Sequence, residues 1–255
     1  MPEGDTIFRA ARTLHQALAG RTVVRFESVF PHLTRVDTDR SLIGRTIESV
    51  TARGKHLLIA FSDDLVLRTH LRMHGSWHLY RPGERWQRPA RDMRIVIATD
   101  AFEAVGFDVP DAEFLKTPDV ARAAALKDLG PDPLSDTFDA SEAVTRLRSR
   151  TDAAIADALL DQHAIAGIGN IFKSETLFTA RINPFVPIAE LTAAQIAAVV
   201  DTAAKLLRAN GTGRLRFAVY GRAGEPCRRC GTHISRQQQG PHARSTYWCA
   251  TCQPR

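Results

Sequence analysis

Only 4 cysteines occur among the 255 residues of this chain, and all lie beyond residue 226. The chain has no secretory leader pattern and no apolar run long enough to cross a bilayer, which predicts a reducing, cytoplasmic setting and no membrane partner. Low-complexity tracts and internal repeats are also missing, which argues against disordered tails and solenoids. What is present is an ordinary globular balance, 44% apolar residues, with a formal charge of +6. A basic excess of that size, spread along the chain, suits a polyanion such as nucleic acid.

The cysteines form two Cys-x-x-Cys pairs, Cys227/Cys230 and Cys249/Cys252, with 18 residues between the pairs. Two such knuckles can bring four thiolates to one tetrahedral zinc ion with no open ligand position, so the expected metal is a single structural zinc. Two disulfides or four free thiols are the alternatives, and a reducing setting disfavours the disulfides. The residues between the pairs predict a β-hairpin that turns near Gly240-Pro241 and returns through Thr246, Tyr247 and Trp248. Arg244 falls near that turn, where a metal-held loop can present it to a phosphate; a solvated surface arginine is the plainer reading.

At the other end the chain reads Pro2-Glu3-Gly4. If Met1 is removed, as a small following residue favours, Pro2 carries a free secondary amine. An α-amino group titrates at about 7.7–8.0, so part of it is neutral and nucleophilic near pH 7. Amines attack carbonyl-like carbons, and a secondary amine yields a cationic iminium. Glu3 is a proton donor or acceptor beside it. An ordinary chain start ahead of a helix explains the same residues.

The pattern after this start is a helix over about 6–19 capped by Asp5 and stopped by Gly20. Seven short β runs follow, at about 23–30, 46–52, 56–61, 65–71, 77–80, 93–99 and 102–107, and imply a sandwich or barrel. Leu129-Gly-Pro-Asp-Pro133 breaks the pattern. Helices are then expected over 141–150, 151–161, 170–180 and 192–210, the last capped by Thr192 and stopped by Gly211. Gly167-Ile-Gly169-Asn170 turns one helix into the next, with Asn170 at the cap and a helix N-terminus open to a phosphate; a tightly packed corner is the plainer reading. In Arg53-Gly54-Lys55-His56, Gly54 permits a tight turn and Lys55 begins a strand. By themselves His70, which alternates with apolar neighbours, and Met73, which suits core filling, read as ordinary strand and core residues.

Taken together, Pro2-Glu3-Gly4, Arg53-Gly54-Lys55, Ile165-Ala-Gly-Ile-Gly-Asn170, Val219-Tyr-Gly-Arg222 with Gly224-Glu-Pro-Cys227, and Arg244-Ser-Thr-Tyr-Trp-Cys249 with Cys252-Gln253 resemble the formamidopyrimidine-DNA glycosylase / endonuclease VIII family. The motifs keep the family's order from residue 2 to residue 253. The resemblance implies an α+β multidomain fold: an N-terminal catalytic β-sandwich with flanking helices (1–116), a linker (117–136), a helix–two-turn–helix DNA-binding domain (137–222) and a C-terminal zinc ribbon (223–255). It also implies a monomeric, nucleoid-associated DNA glycosylase/AP lyase of base excision repair that acts on damaged duplex DNA. In that scheme Pro2 attacks C1′ and forms a Schiff base, Glu3 protonates the ring oxygen, and β,δ-elimination cuts the strand. Lys55 assists as a catalytic and phosphate-binding residue. His70, Asn170 and Arg244 hold phosphates, and Met73 fills the gap left by the flipped nucleotide.

Three departures shape the expectation. Asp5-Thr6 replaces the Pro-Glu that the family often has, so a second acid is missing at position 6, with Asp5 the available substitute. No strand-separating Arg and Phe stand out within 104–114, where Phe107 is the candidate. Residues 210–218 run almost directly into Val219, leaving no room for the loop that covers a flipped purine in the 8-oxoguanine branch. The endonuclease VIII-like branch is therefore expected, with oxidised pyrimidines such as thymine glycol and 5-hydroxycytosine, and abasic sites, as substrates. An 8-oxoguanine-type glycosylase, a non-catalytic DNA-binding zinc protein and a zinc-ribbon interaction module are the alternatives.

Overall fold

The computed structural model describes residues 2–211, 213 and 215–255. The chain divides into two compact units, Pro2 with Thr6–Lys127, and Glu3–Asp5 with Asp128–Arg255.

In the first unit, helix α1 (Gly4–Leu18) contributes residues from Thr6 onward and is joined by α2 (Pro31–Asp39) and eight strands. The strands are β1 (Arg25–Ser28), β2 (Ile47–Arg53), β3 (His56–Phe61), β4 (Leu65–His70), β5 (Ser76–Tyr80), β6 (Met93–Ala98), β7 (Glu103–Phe107) and β8 (Asp111–Lys116). They form two antiparallel four-stranded sheets, ordered β1-β6-β7-β5 and β2-β3-β4-β8. Leu57, Ile59, Phe61 and Leu67 of one sheet share a core with Phe26, Ile95 and Ile97 of the other, and Ile7, Leu14 and Leu18 of α1 pack against it. The alternation of strand side chains explains this, since every second residue faces the shared interior.

Two elements of this unit were not foreseen. Strand β8 pairs with β4 through charged residues, Arg68 opposite Glu113 and His70 opposite Asp111. Helix α2 buries only Leu33. Lys55 does not begin β3. It lies with Gly54 in the two-residue turn joining β2 to β3, and Gly54 takes φ +58 there, the left-handed conformation such hairpin turns need at their first position. Phe107 is fully buried with Tyr80, Val96 and Val105, so it is a core residue and not a strand-separating one.

The second unit holds α3 (Ala140–Arg148), α4 (Ile155–Ala158), α5 (Asn170–Ala180), α6 (Ala193–Asn210) and the hairpin β9 (Ser235–Gln239)–β10 (Arg244–Trp248). Thr192 and Gln195 form the reciprocal capping pair of α6, as Thr192 was expected to do. The helix expected over 151–161 shrinks to Ile155–Ala158, because the backbone at and before its start bonds elsewhere: Ile155 N–H to the Val186 carbonyl and Ile188 N–H to that of Ala153. Asn170 is the first residue of α5, and Gly169 precedes it as the cap. Asp5 is no cap either. It lies inside α1, buried, and accepts a hydrogen bond from Asn210 Nδ2 at 2.8 Å. Thr212 and Arg214, within the short 210–218 connection, lie outside the described residues, as does Met1.

Candidate functional site

The second unit gathers Glu3, Asn170 and β10. The Glu3 carboxylate is buried and sits on the N-terminus of α5. Its Oε1 accepts from Ile171 N–H at 2.7 Å, and its Oε2 accepts from Gly169 N–H and Phe172 N–H, both at 3.1 Å. These are the orphan donors of a helix start, at the positive end of its dipole. Three donors converging on both oxygens suit an ionised carboxylate. The local sequence makes this possible: a Cβ on Gly169 would overlap the Glu3 carboxylate, and a Cβ on Gly4 would come within 2.9 Å of the Gly167 backbone. Gly4 N–H also donates to the Gly167 carbonyl at 2.9 Å. The amides that the Gly-x-Gly turn was expected to offer to a phosphate therefore hold Glu3 instead.

Asn170 is buried, and its Nδ2 donates to the Ser245 carbonyl at 2.7 Å. Arg244, the residue before Ser245, opens β10 and is exposed. Two acidic and basic residues in this unit were not foreseen as functional. Glu175 on α5 accepts from the backbone N–H groups of Ala218, Val219 and Tyr220 at 2.7, 2.9 and 2.8 Å, which fixes the Val-Tyr-Gly-Arg stretch. Lys173 is buried and donates to Thr246 Oγ1 at 2.8 Å. Burial pushes its ammonium down to about 8, with Arg244 adding to the fall while Asp157 and Glu3 oppose it. Lys173 stands one helical turn after Asn170, and that spacing of two polar residues would have been its signal; Glu175 shares no such spacing with either.

The four cysteines come together in the same unit. Their sulfurs lie within 4.8 Å of one another, with Cys227–Cys252 at 3.9 Å and Cys230–Cys249 at 3.4 Å. A tetrahedral zinc with metal–sulfur bonds of about 2.3 Å needs sulfur–sulfur edges of about 3.8 Å. The four thiols fit such an ion, and they are not paired as disulfides.

The first unit carries Pro2, Lys55, His70 and Met73. Pro2 is half-buried, two residues before α1 begins. His70 ends β4, faces His56 with ring centroids 4.7 Å apart, and its Nδ1 accepts from Arg72 N–H at 3.2 Å. Burial, then the charges of Arg72 and Lys55, hold His70 down to about 4, against the pull of Asp111. Burial, then His70 and Arg68, hold His56 down to about 3. His70 is therefore neutral at pH 7, with its proton on Nε2, ready to donate to an anionic oxygen. Arg68, two residues before His70 on β4, is buried and bonded to Asp111 at 2.7 Å, Glu113 at 2.5 Å and His56 Nδ1 at 3.1 Å. Burial works against the charge of Asp111, yet the Arg68 hydrogen bond keeps its carboxyl below the usual range. Met73 lies beyond β4 in a turn closed by Gly75 N–H to the Leu71 carbonyl, and it is 49% exposed, which is not the position of core filler.

The sequence profile of the formamidopyrimidine-DNA glycosylase N-terminal domain matches residues 1–111, that of the same enzyme's H2TH domain matches residues 129–213, and that of the zinc finger found in FPG and IleRS matches residues 224–255. The chain is 43% identical over 265 residues to a probable endonuclease 8 2 of Streptomyces coelicolor, covering 99% of this chain and 94% of that one. It is 38% identical to the DNA-(apurinic or apyrimidinic site) lyase Nei2 of Mycolicibacterium smegmatis, covering 99% of each. Among solved structures, Lactococcus lactis formamidopyrimidine-DNA glycosylase non-covalently bound to DNA with an AP site superimposes with a TM-score of 0.87 at 27% identity, over 99% of this chain and 100% of that one. The thiol cluster, the buried N-terminal glutamate and these matches over nearly the whole length lead to one assignment: the chain belongs to the formamidopyrimidine-DNA glycosylase / endonuclease VIII family.

Proposed function

We propose that this protein is a bifunctional DNA glycosylase/AP lyase of base excision repair that prefers oxidised pyrimidines and abasic sites in duplex DNA. The observation that carries the reading is the Glu3 carboxylate, fixed by three backbone donors in the residue next to Pro2. A carboxylate held in this way is a fixed relay for protons. The Pro2 nitrogen attacks C1′ of the damaged nucleotide and its N–H proton is released. Glu3 takes that proton and delivers it to the sugar ring oxygen. The C1′–O4′ bond opens, and its electron pair stays on the new hydroxyl. The proline lone pair then forms the C1′ iminium as the base leaves with the electron pair of its bond to C1′ and takes up a proton from water. The iminium acidifies the C2′ hydrogens. Loss of one such proton expels the 3′ phosphate, and a second elimination expels the 5′ phosphate.

Lys55, His70, Asn170 and Arg244 are assigned to the phosphates that flank the lesion, and exposed Met73 to the space of the flipped nucleotide. The four cysteines are assigned to one structural zinc that makes the β9–β10 hairpin rigid. The residue blocks 1–116, 137–222 and 223–255 serve as catalytic, helical DNA-binding and zinc-ribbon domains, joined by 117–136. The pyrimidine preference rests on the shortness of 210–218, which leaves no room for a purine-covering loop; the Streptomyces coelicolor relative carries an endonuclease 8 name, which speaks to the branch and not to the lesion.

The test is borohydride trapping of protein whose first residue is Pro2, on duplexes with 5-hydroxyuracil, 8-oxoguanine or an abasic site. Covalent adducts on the pyrimidine lesion and the abasic site, with little on 8-oxoguanine, are expected. Strong trapping on 8-oxoguanine overturns the substrate preference alone. No adduct on any duplex overturns the enzyme reading in favour of a DNA-binding zinc protein.

A further inference from the structure

Among the described residues Lys173 is the one buried lysine, 1% exposed. An ammonium removed from water is costly unless its hydrogens are used. Here they are used on the zinc hairpin. Lys173 stands three residues after Asn170, on the same face of α5. Asn170 Nδ2 reaches the Ser245 carbonyl at 2.7 Å, and Lys173 Nζ reaches the same carbonyl at 3.4 Å and Thr246 Oγ1 at 2.8 Å.

The Thr246 hydroxyl passes the connection on. It donates to Gln239 Oε1 at 2.8 Å, and Gln239 Nε2 donates to Asp157 Oδ2 at 3.3 Å and to the Pro184 carbonyl at 3.2 Å. Gly240 follows Gln239 and lies so close to Asp157 that a Cβ there would collide with its carboxylate. The hairpin is thus held on both arms of its turn, by α5 at residues 245 and 246 and by α4 at residues 239 and 240. Arg244 lies between these anchors, paired with Gln239 across the hairpin. Lys173 is too deeply buried to meet DNA itself, and the charges around it belong to Asp157 on α4, Glu3 before α1 and Arg244 on β10.

We propose that Lys173 is a positioning residue for Arg244: together with Asn170 it clamps Ser245 and Thr246 to α5, and so sets where the Arg244 guanidinium meets a DNA phosphate. The inference rests on the assignment of Arg244 to a phosphate made above. A packed apolar side chain would fill the same space at lower desolvation cost, but it would leave the Ser245 carbonyl with one donor fewer and Thr246 with no ammonium to hold it.

The test measures the affinity of the full-length protein for a duplex with a tetrahydrofuran abasic-site analogue at several salt concentrations. Lys173→Met and Thr246→Val are compared with Arg244→Ala, with zinc content followed in each. A lost phosphate contact lowers the salt slope by about 0.9. Lys173→Met is expected to weaken binding about tenfold and to lower the slope as Arg244→Ala does, with zinc content unchanged. Added to Arg244→Ala, it should weaken binding less than twofold further, since both changes remove the same contact. Thr246→Val should shift affinity and slope in the same direction, and it decides the matter if Lys173→Met does not fold. Parent-like affinity and slope in these variants, while Arg244→Ala weakens binding, would overturn the proposal. So would full additivity in the double variant, or loss of zinc. Unchanged binding by Arg244→Ala would instead overturn the phosphate assignment of Arg244, and the clamp's purpose with it.

Discussion

The Glu3 carboxylate fills the space where a Cβ on Gly169 would lie, and Gly169 N–H donates to it at 3.1 Å. Residues 166 positions apart in sequence therefore exclude any side chain larger than hydrogen at position 169. Gly169→Ala should push the carboxylate off the three amides while leaving α5, which starts at the next residue, intact. The expected result is a Glu3→Gln phenotype: base removal falls by two orders of magnitude or more, on the scale of a misplaced catalytic group, and some cleavage of preformed abasic DNA survives. Single-turnover excision by Gly169→Ala at the parent rate would show that the carboxylate needs no such seat.

Asp5 reads in the sequence as a helix cap or a stand-in for the acid missing at position 6, and the structure gives it a different partner. Its Oδ2 accepts from Asn210 Nδ2 at 2.8 Å, and both residues are buried. Asn210→Ala removes that donor, and also the acceptor of Leu215 N–H at 3.0 Å, and should destabilise the protein by about 1–3 kcal/mol, the usual cost of losing buried hydrogen-bond partners, as read from urea denaturation. Asp5→Asn should leave cleavage of abasic DNA near the parent rate. A collapse of that rate in a folded Asp5→Asn protein would return Asp5 to the proton chemistry.

The elements legible in the sequence were those whose own side chains decide their structure. Helix α5 was expected over 170–180 and is found at Asn170–Ala180, and the zinc hairpin turns where Gly240 permits it. What could not be read was set by distant partners. Strand β8 is written Asp-Ala-Glu-Phe-Leu-Lys, and its charged members look exposed until Arg68 of β4 is placed opposite them. Residues 151–161 look helical, but Ile155 and Ala153 in their first half bond to residues 186 and 188. At the site, the motif residues could be named from their order. The seat of Glu3 and the buried Lys173 could not, because each exists only where chain segments far apart in sequence meet.

The His56–His70 pair makes stability depend on acid. Burial lowers His56 from 6.5 to about 3 and His70 from 6.5 to about 4. Between those values and pH 6.5 the unfolded chain binds more protons than the folded one, so stability is full above pH 6.5 and declines as pH falls toward 3. His56→Gln removes the larger of the two contributions. The gap in unfolding free energy between the parent and His56→Gln should therefore narrow by on the order of 1–2 kcal/mol from pH 7 to pH 4, given about 1.4 kcal/mol for each tenfold change in proton affinity and partial solvent access. A gap that stays constant over this range would mean that the His56 imidazole titrates normally in the folded protein.

Zinc removal should unfold the hairpin and spare the first unit. The β9–β10 pair is short, and an isolated two-stranded hairpin is marginal in water. Its small core depends on Cys227 and Cys249 packing with Val219, Phe178 and Ile234. Four thiols held this close repel once they ionise unless a cation joins them, so binding of the metal and folding of the ribbon are one process. Cys249→Ser, or a strong chelator on the parent, should release one zinc per chain in a colorimetric assay and weaken binding to abasic DNA at least as much as Arg244→Ala does. The transition of the β-sandwich should keep its midpoint, because that core contains no residue of the ribbon. The two changes differ in what they remove: Arg244→Ala deletes one cation, whereas metal loss frees the whole strand that carries it. Retained binding after verified zinc loss would show that α4 and α5 hold β10 without the metal.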